Sequence, residues 1–237
     1  QTGGKPETFA REAKLIMVDI DQAELDKRRG LTPYLSIQTD AKEFLQELLF
    51  QVKNGEKLNI SKWFNACMVW RRKYPVALLE YEREKNNINA YTFVKALSDE
   101  LGSSAIIIPD DGGHLTWTMQ AFQLKKGQIL FSAYGNSPMG YAFPAAIGAS
   151  LACNKKPVIC IDGDGSFQMN IQELQTVVYN KLPIKIFIFN NKGYGIIKQF
   201  QELYLDSRFE ASGRGYSYPD FVKVGEAYGI TSMDIRD

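Results

Sequence analysis

Two apolar runs rich in β-branched residues, Val158-Ile159-Cys160-Ile161 and Ile184-Lys185-Ile186-Phe187-Ile188-Phe189, each lead into a polar turn, Gly163-Asp164-Gly165 and Asn190-Asn191. Asp164 and Asn191 stand 27 residues apart, room for a loop, a helix over residues 172–179 that opens after Asn170, and a strand returning parallel to the first. Such a βαβ unit brings both strand ends to one edge of the sheet, where neighbouring strands are about 4.8 Å apart. Asp164 and Asn191 can then converge on one small ion.

A carboxylate beside an amide oxygen is hard-ligand chemistry, suited to Mg²⁺, which keeps phosphate oxygens among its partners. Gly163 and Gly165 let the chain turn sharply and bring backbone N–H groups against a phosphate. Ser166 adds a hydroxyl near a helix start that favours anions, and past Asn191-Lys192-Gly193 a backbone carbonyl is placed to give a third oxygen. Taken singly, a Gly-Asp-Gly is a common turn and an Asn-Asn a common strand end. The spacing and the shared strand-to-loop context join them into a diphosphate site held through Mg²⁺.

The stretches GDGSFQMNIQEL and KIFIFNNKGYGIIKQF resemble the diphosphate-binding domain of the thiamine diphosphate enzymes, and nearly the whole chain resembles their acetolactate synthase branch. The resemblance implies Mg²⁺ on Asp164, Asn191 and the Gly193 carbonyl, and thiamine diphosphate contacts from Gly113, His114, Ser137, Met139, Gly165, Ser166 and Tyr194. Met139, in SPMGYAFPAAIGAS, takes the place of an apolar side chain that bends the cofactor; apolar bulk there also suits a core residue at a helix start. His114 resembles a histidine that contacts the diphosphate, although a lone histidine also serves structure. Gly113 replaces a glutamine of the family, so a side-chain contact made there is lost.

Ile197 stands where simple decarboxylases of the superfamily carry a glutamate that helps protonate the species left after CO₂ loss. The resemblance therefore implies carboligation to a second carbonyl rather than aldehyde release, unless Ile197 only packs and another acid protonates. Phe200 replaces a tryptophan that selects the acceptor keto acid, so an acceptor such as a keto-sugar nucleotide stays open beside a second keto acid. A paralogue that keeps the fold without turnover is a further alternative. Family members also need a glutamate on an N-terminal pyrimidine-binding domain, usually from a partner subunit, and no segment here resembles it. The expected partners are a 2-keto acid, pyruvate first, and other copies of the protein in a dimer or tetramer. Asp19 matches a residue near the flavin of FAD-containing members, which leaves FAD as a possible second cofactor; a helix-start role for Asp19 is the competing reading.

The expected fold class is α/β: a doubly wound, mostly parallel sheet over residues 61–237, short of its last elements, preceded by the tail of a second Rossmann-like α/β domain over 1–52 and a linker over 53–60. Strand and helix alternate throughout, with strands expected over 14–21, 105–108 and 129–131. Helices are expected over 41–52, 62–72 and 89–97, from Thr116, and in the Ala-rich stretch up to Cys153. No G-x-G-x-x-G follows the first strand of either domain, which disfavours a nucleotide-binding Rossmann module. Both ends, Gln1 in place of Met and a bare Asp237, read as cut edges of a longer polypeptide.

Twenty-eight basic against 27 acidic residues create no global field for nucleic acid or an anionic membrane. The three cysteines lack metal or redox spacing and suit a reducing compartment. With no run approaching the roughly 20 apolar residues of a membrane span, the cytoplasm is the expected location.

Overall fold

The computed structural model describes residues 5–28, 30–55, 59–84 and 87–236. The terminal residues 1–4 and 237, at the expected cut edges, and residues 56–58 of the expected linker over 53–60 lie outside them.

The chain divides into two compact units, residues 1–72 and 73–237. In the first, β1 (Ile16–Asp19), α1 (Gln22–Asp26) and β2 (Leu35–Gln38) form a parallel βαβ unit. It is followed by α2 (Ala41–Asn54) and α3 (Ser61–Lys73). Asp40 caps α2 by accepting from the N–H groups of Lys42 (2.8 Å) and Glu43 (3.4 Å), relieving donors that a helix start leaves unpaired. Helix α3, expected to open the second domain, falls almost wholly in the first unit.

The second unit contains α4 (Ala90–Glu100), β3 (Ile106–Pro109), α5 (Gly113–Ala121), β4 (Ile129–Leu130), α6 (Ala142–Ala152) and β5 (Val158–Gly163). After these come α7 (Asp164–Phe167), a run of 3₁₀ turns over Gln168–Glu173, α8 (Leu174–Asn180), β6 (Ile184–Phe189), α9 (Gly195–Tyr204), the extended segment β7 (Glu210–Gly215) and α10 (Phe221–Ala227). Strands β4, β3, β5 and β6 lie side by side in that order, all parallel. Parallel strands need crossovers, and the crossover helices cover both faces.

The two-residue periodicity of a strand divides the core. Ile106, Ile108, Val158 and Cys160 face a cluster with Phe143, Ala146, Phe167, Leu174 and Val177 from α6 to α8. Ile107, Ile159 and Ile161 face the opposite cluster, against Leu97, Phe122 and Phe187. Every residue of β5 is buried, which explains why its sequence reads as an unbroken apolar run until Asp162. The small residues Ala142 and Ala146 bring α6 close to the sheet, and both are fully buried.

The helix expected to open after Asn170 begins later. Asn170 leaves helical geometry (φ −133°, ψ 25°), and its side-chain amide donates to the Gly140 carbonyl at 2.6 Å. This tertiary bond interrupts the helix at that residue. Among the described residues no helix is long and apolar enough to cross a membrane.

Phe143 is fully buried, with its ring 5.1 Å from that of Phe167. Phe143→Ala should cost about 3–5 kcal/mol of unfolding free energy, whereas the half-exposed Leu151→Ala on the same helix should cost much less; urea denaturation of both variants checks the contrast.

Candidate functional site

Register decides the site. Gly163 at the end of β5 pairs with Phe189 at the end of β6, so the turns that follow leave the sheet together. Asp164 is 1% exposed, and its Oδ2 accepts from the Gly193 N–H at 3.1 Å and from the Tyr216 hydroxyl at 2.8 Å. Its other oxygen faces the Asn191 amide at 2.9 Å, and that amide also faces the Gly193 carbonyl oxygen at 2.6 Å. Both neighbours are acceptors. With its nitrogen toward them, Asn191 donates two hydrogen bonds; with its oxygen toward them, three oxygens converge and only a cation at their centre reconciles the charge. Ligands on adjacent vertices around Mg²⁺, each about 2.0–2.1 Å from the ion, stand roughly 2.8–3.0 Å apart, close to the spacing found.

These groups border a cavity of about 110 Å³ whose wall includes Gly112, His114, Met139, Gly165, Tyr194 and Ile197. Neither Gly163 nor Gly165 has a positive φ, so sharp turning, expected from the sequence, is not why they are glycines. The reason is space: a Cβ on Gly165 would lie 2.3 Å from Tyr194 Cε1, and one on Gly163 would lie 3.0 Å from His114 Cε1. Gly193 is equally confined, with the Ser212 carbonyl oxygen 2.6 Å from where its Cβ would be.

The pattern described as thiamine pyrophosphate enzyme, C-terminal TPP binding domain, matches residues 110–237, more than half of the chain. The chain belongs to the thiamine pyrophosphate enzymes. It is 37% identical to an acetolactate synthase large subunit of Cyanidium caldarium, over 98% of this chain and 40% of that protein. It is also 37% identical to the large subunit of Pyropia yezoensis, over 99% and 39%, and 32% identical to the isozyme 1 large subunit of Escherichia coli, over 99% and 40%. The chain thus spans about two fifths of the length of these relatives.

With the Asn191 oxygen turned inward, the donor set fits the divalent cation that binds a diphosphate in a thiamine pyrophosphate enzyme: one carboxylate oxygen, one amide oxygen and one carbonyl, all hard, all at one strand edge. The cavity brings Gly113, His114, Met139, Gly165, Tyr194 and Ile197 together with them. Phe200 is not among the wall residues. It lies one turn beyond Ile197 on α9, 56% exposed, its ring packed on Tyr204 at 4.8 Å. Ser137 also stands outside the wall, its hydroxyl donating to Asp111 at 2.7 Å. Ser166 lines the cavity, but its hydroxyl donates to Asp162 and accepts from the Gly163 N–H, so it braces the turn instead of facing an anion. Asp19, in the other unit, accepts from the Asp21 N–H at 2.9 Å, a local turn bond; the helix start expected of it is capped instead by Asp21, which accepts from the Ala23 N–H.

Four side chains that shape these turns, Asp110, Asp162, Asn170 and Tyr216, carry no site signal in the sequence. Asp110 accepts from the N–H groups of Gly140 (2.8 Å) and Ala142 (2.7 Å), and Asn170 holds the Gly140 carbonyl. The Met139 loop is therefore gripped on both sides, and Gly140, at φ 84°, has no room for a Cβ beside Asn170 and Met169. Asp162 accepts from the Gly163 N–H at 2.8 Å and so anchors the other loop. Asp110, His114 and Asp162 are buried with ligand atoms within 4.8 Å of one another. This group is a poor cation site, because both Asp110 oxygens and Asp162 Oδ1 already accept hydrogen bonds from the chain.

Burial, then the neighbouring Asp110 charge, pushes Asp162 up to about 7, and burial likewise raises Asp110. Two carboxyls so placed oppose being ionised together. Burial lowers His114 to about 4, leaving a neutral imidazole. The Tyr216 phenol is pushed upward by burial and by its bond to Asp164, so it remains a donor.

Two outcomes follow from these contacts. Asp164→Ala should abolish Mg²⁺-dependent binding of thiamine diphosphate while leaving the circular dichroism spectrum unchanged, as calorimetry on the same sample would show. The folded pKa of Asp162 exceeds its ordinary value of 3.8, so the folded chain holds a proton that the unfolded chain releases, and stability falls as pH rises from about 4 to about 7. Asp162→Asn should flatten that fall in urea midpoints measured across the window.

Proposed function

We propose that the protein containing this chain is a thiamine diphosphate- and Mg²⁺-dependent enzyme of the acetolactate synthase type, which decarboxylates a 2-keto acid, pyruvate, and joins the remaining two-carbon unit to a second carbonyl. The convergence of Asp164, Asn191 and the Gly193 carbonyl at one strand edge carries this reading. The similarity to acetolactate synthase large subunits along nearly the whole chain supports it.

When bound, the cofactor would supply a cationic thiazolium ring as the sink for the electron pair released with CO₂. The residues of this chain do the rest by holding and excluding. Asp164, Asn191 and Gly193 would hold the cation, and through it the diphosphate. Met139, at the cavity wall on a loop fixed by Asp110 and Asn170, offers a rigid apolar support for the cofactor. Ile197 presents hydrocarbon at the cavity, so no proton donor stands at that position, a setting that favours carbon–carbon bond formation over protonation.

The site also implies a covering partner. On α9, Ile196, Ile197, Phe200, Leu203 and Tyr204 are each at least 39% exposed, a helical spacing that leaves one apolar face beside the cavity open. A pyrimidine-binding domain from another copy in a homo-oligomer is the covering we propose, since a dry pocket is needed for the chemistry.

Purified full-length protein supplied with thiamine diphosphate, Mg²⁺ and pyruvate should release CO₂ and form an acetoin-precursor hydroxy-keto acid, followed by mass spectrometry with varied acceptors. Ile197→Glu should raise free aldehyde several-fold relative to the ligation product. An unchanged product ratio, or no CO₂ release from any 2-keto acid by the unaltered protein, would count against the assignment.

A further inference from the structure

Tyr216 lies 52 residues beyond Asp164 in sequence, yet its hydroxyl donates to Asp164 Oδ2 at 2.8 Å. The phenol is itself braced. Gln168 Nε2 reaches its oxygen at 3.4 Å while donating to the Asp164 carbonyl at 3.0 Å and lying 3.3 Å from the Ser217 carbonyl. The ring packs edge-on against Tyr194, with centroids 4.9 Å apart, and stacks with Tyr218 at 6.1 Å. Tyr194 in turn covers Gly165. These contacts fix the phenol in place.

A carboxylate offers a cation either one oxygen or both. Mg²⁺ takes near-octahedral single-oxygen ligands, whereas the larger Ca²⁺ accepts bidentate carboxylates and flexible geometry. Donors placed on one oxygen decide which mode is open, and such outer partners orient the ligating atom. At Asp164 both donors, Gly193 N–H and Tyr216 hydroxyl, sit on Oδ2, and Oδ1 is left facing the Asn191 amide, which also faces the Gly193 carbonyl.

We infer that Tyr216 is a positioning residue for the cation, holding Asp164 as a one-oxygen ligand and thereby favouring Mg²⁺ over Ca²⁺ at this site. The inference rests on the reading of Asp164 as a metal ligand. It assigns a metal-selecting role to the segment after β7, which reaches the site only through the fold.

The test is thiamine diphosphate binding by full-length protein, measured by calorimetry across Mg²⁺ and Ca²⁺ titrations, for unaltered protein, Tyr216→Phe and Asp164→Ala. Tyr216→Phe keeps the ring and removes the donor. Its half-saturating Mg²⁺ concentration should rise about tenfold, its Ca²⁺ requirement should change far less, and the melting temperature without cofactor should stay the same. Gln168→Leu, which removes the brace from the phenol, should shift the Mg²⁺ requirement in the same direction by a smaller factor, and gives the same readout if Tyr216→Phe folds poorly. Equal rises for both ions, or unchanged requirements in variants that fold, would overturn the role of Tyr216 alone. Unaltered protein that binds no cofactor with either ion, or Asp164→Ala that binds as the unaltered protein does, would overturn the metal reading and this inference together.

Discussion

The parallel pairing of β5 with β6 is the constraint on which the site depends. Its register sets Gly163 opposite Phe189, and from there Asp164 and Asn191 have one short turn each in which to meet. A slip of one residue would send Asp162 to the opposite face of the sheet, because strand side chains alternate, and would carry Asp164 out of step with Asn191. The burial of every β5 residue penalises such a slip heavily. The apolar core therefore holds Asp164 and Asn191 in place, although it forms no part of the turns that carry them.

Hydrogen bonding carries that order outward from the strands. Two buried carboxylates, Asp110 at the end of β3 and Asp162 at the end of β5, tie their neighbouring loops to the sheet by accepting backbone N–H groups. One secures the loop bearing Met139 and the other the turn bearing Asp164. An unpaired buried carboxylate is expensive, and the N–H donors around these two offset that cost. Loops that would otherwise fluctuate thus become fixed parts of a cavity wall.

Close packing against glycine sets the shape of the cavity. Tyr194 lies where a side chain on residue 165 would be, and His114 presses on Gly112 and Gly163. Aromatic rings continue from Tyr194 through Tyr216 and Tyr218 to Phe221, so the C-terminal part of the chain packs over the turn that carries Asp164. The open apolar face of α9 shows where this packing stops within the chain.

Local patterns in the sequence determined much of this protein. The β-branched runs ending in Gly-Asp-Gly and Asn-Asn, with a helix-length interval between them, specified the βαβ unit and the meeting of Asp164, Asn191 and Gly193 at one strand edge, because a parallel crossover returns both strand ends to the same side of the sheet. The adjoining motifs marked His114, Met139, Gly165 and Ile197, which line the cavity. Only the tertiary structure decided that Phe200 and Ser137 stand outside it, since one helical turn or one competing hydrogen bond turns a neighbouring residue away. It likewise decided that Gly163 and Gly165 serve close packing instead of turn geometry, and that Asp110, Asp162 and Tyr216 belong to the site. Their partners lie up to 52 residues distant, and no local periodicity records a contact made across that separation.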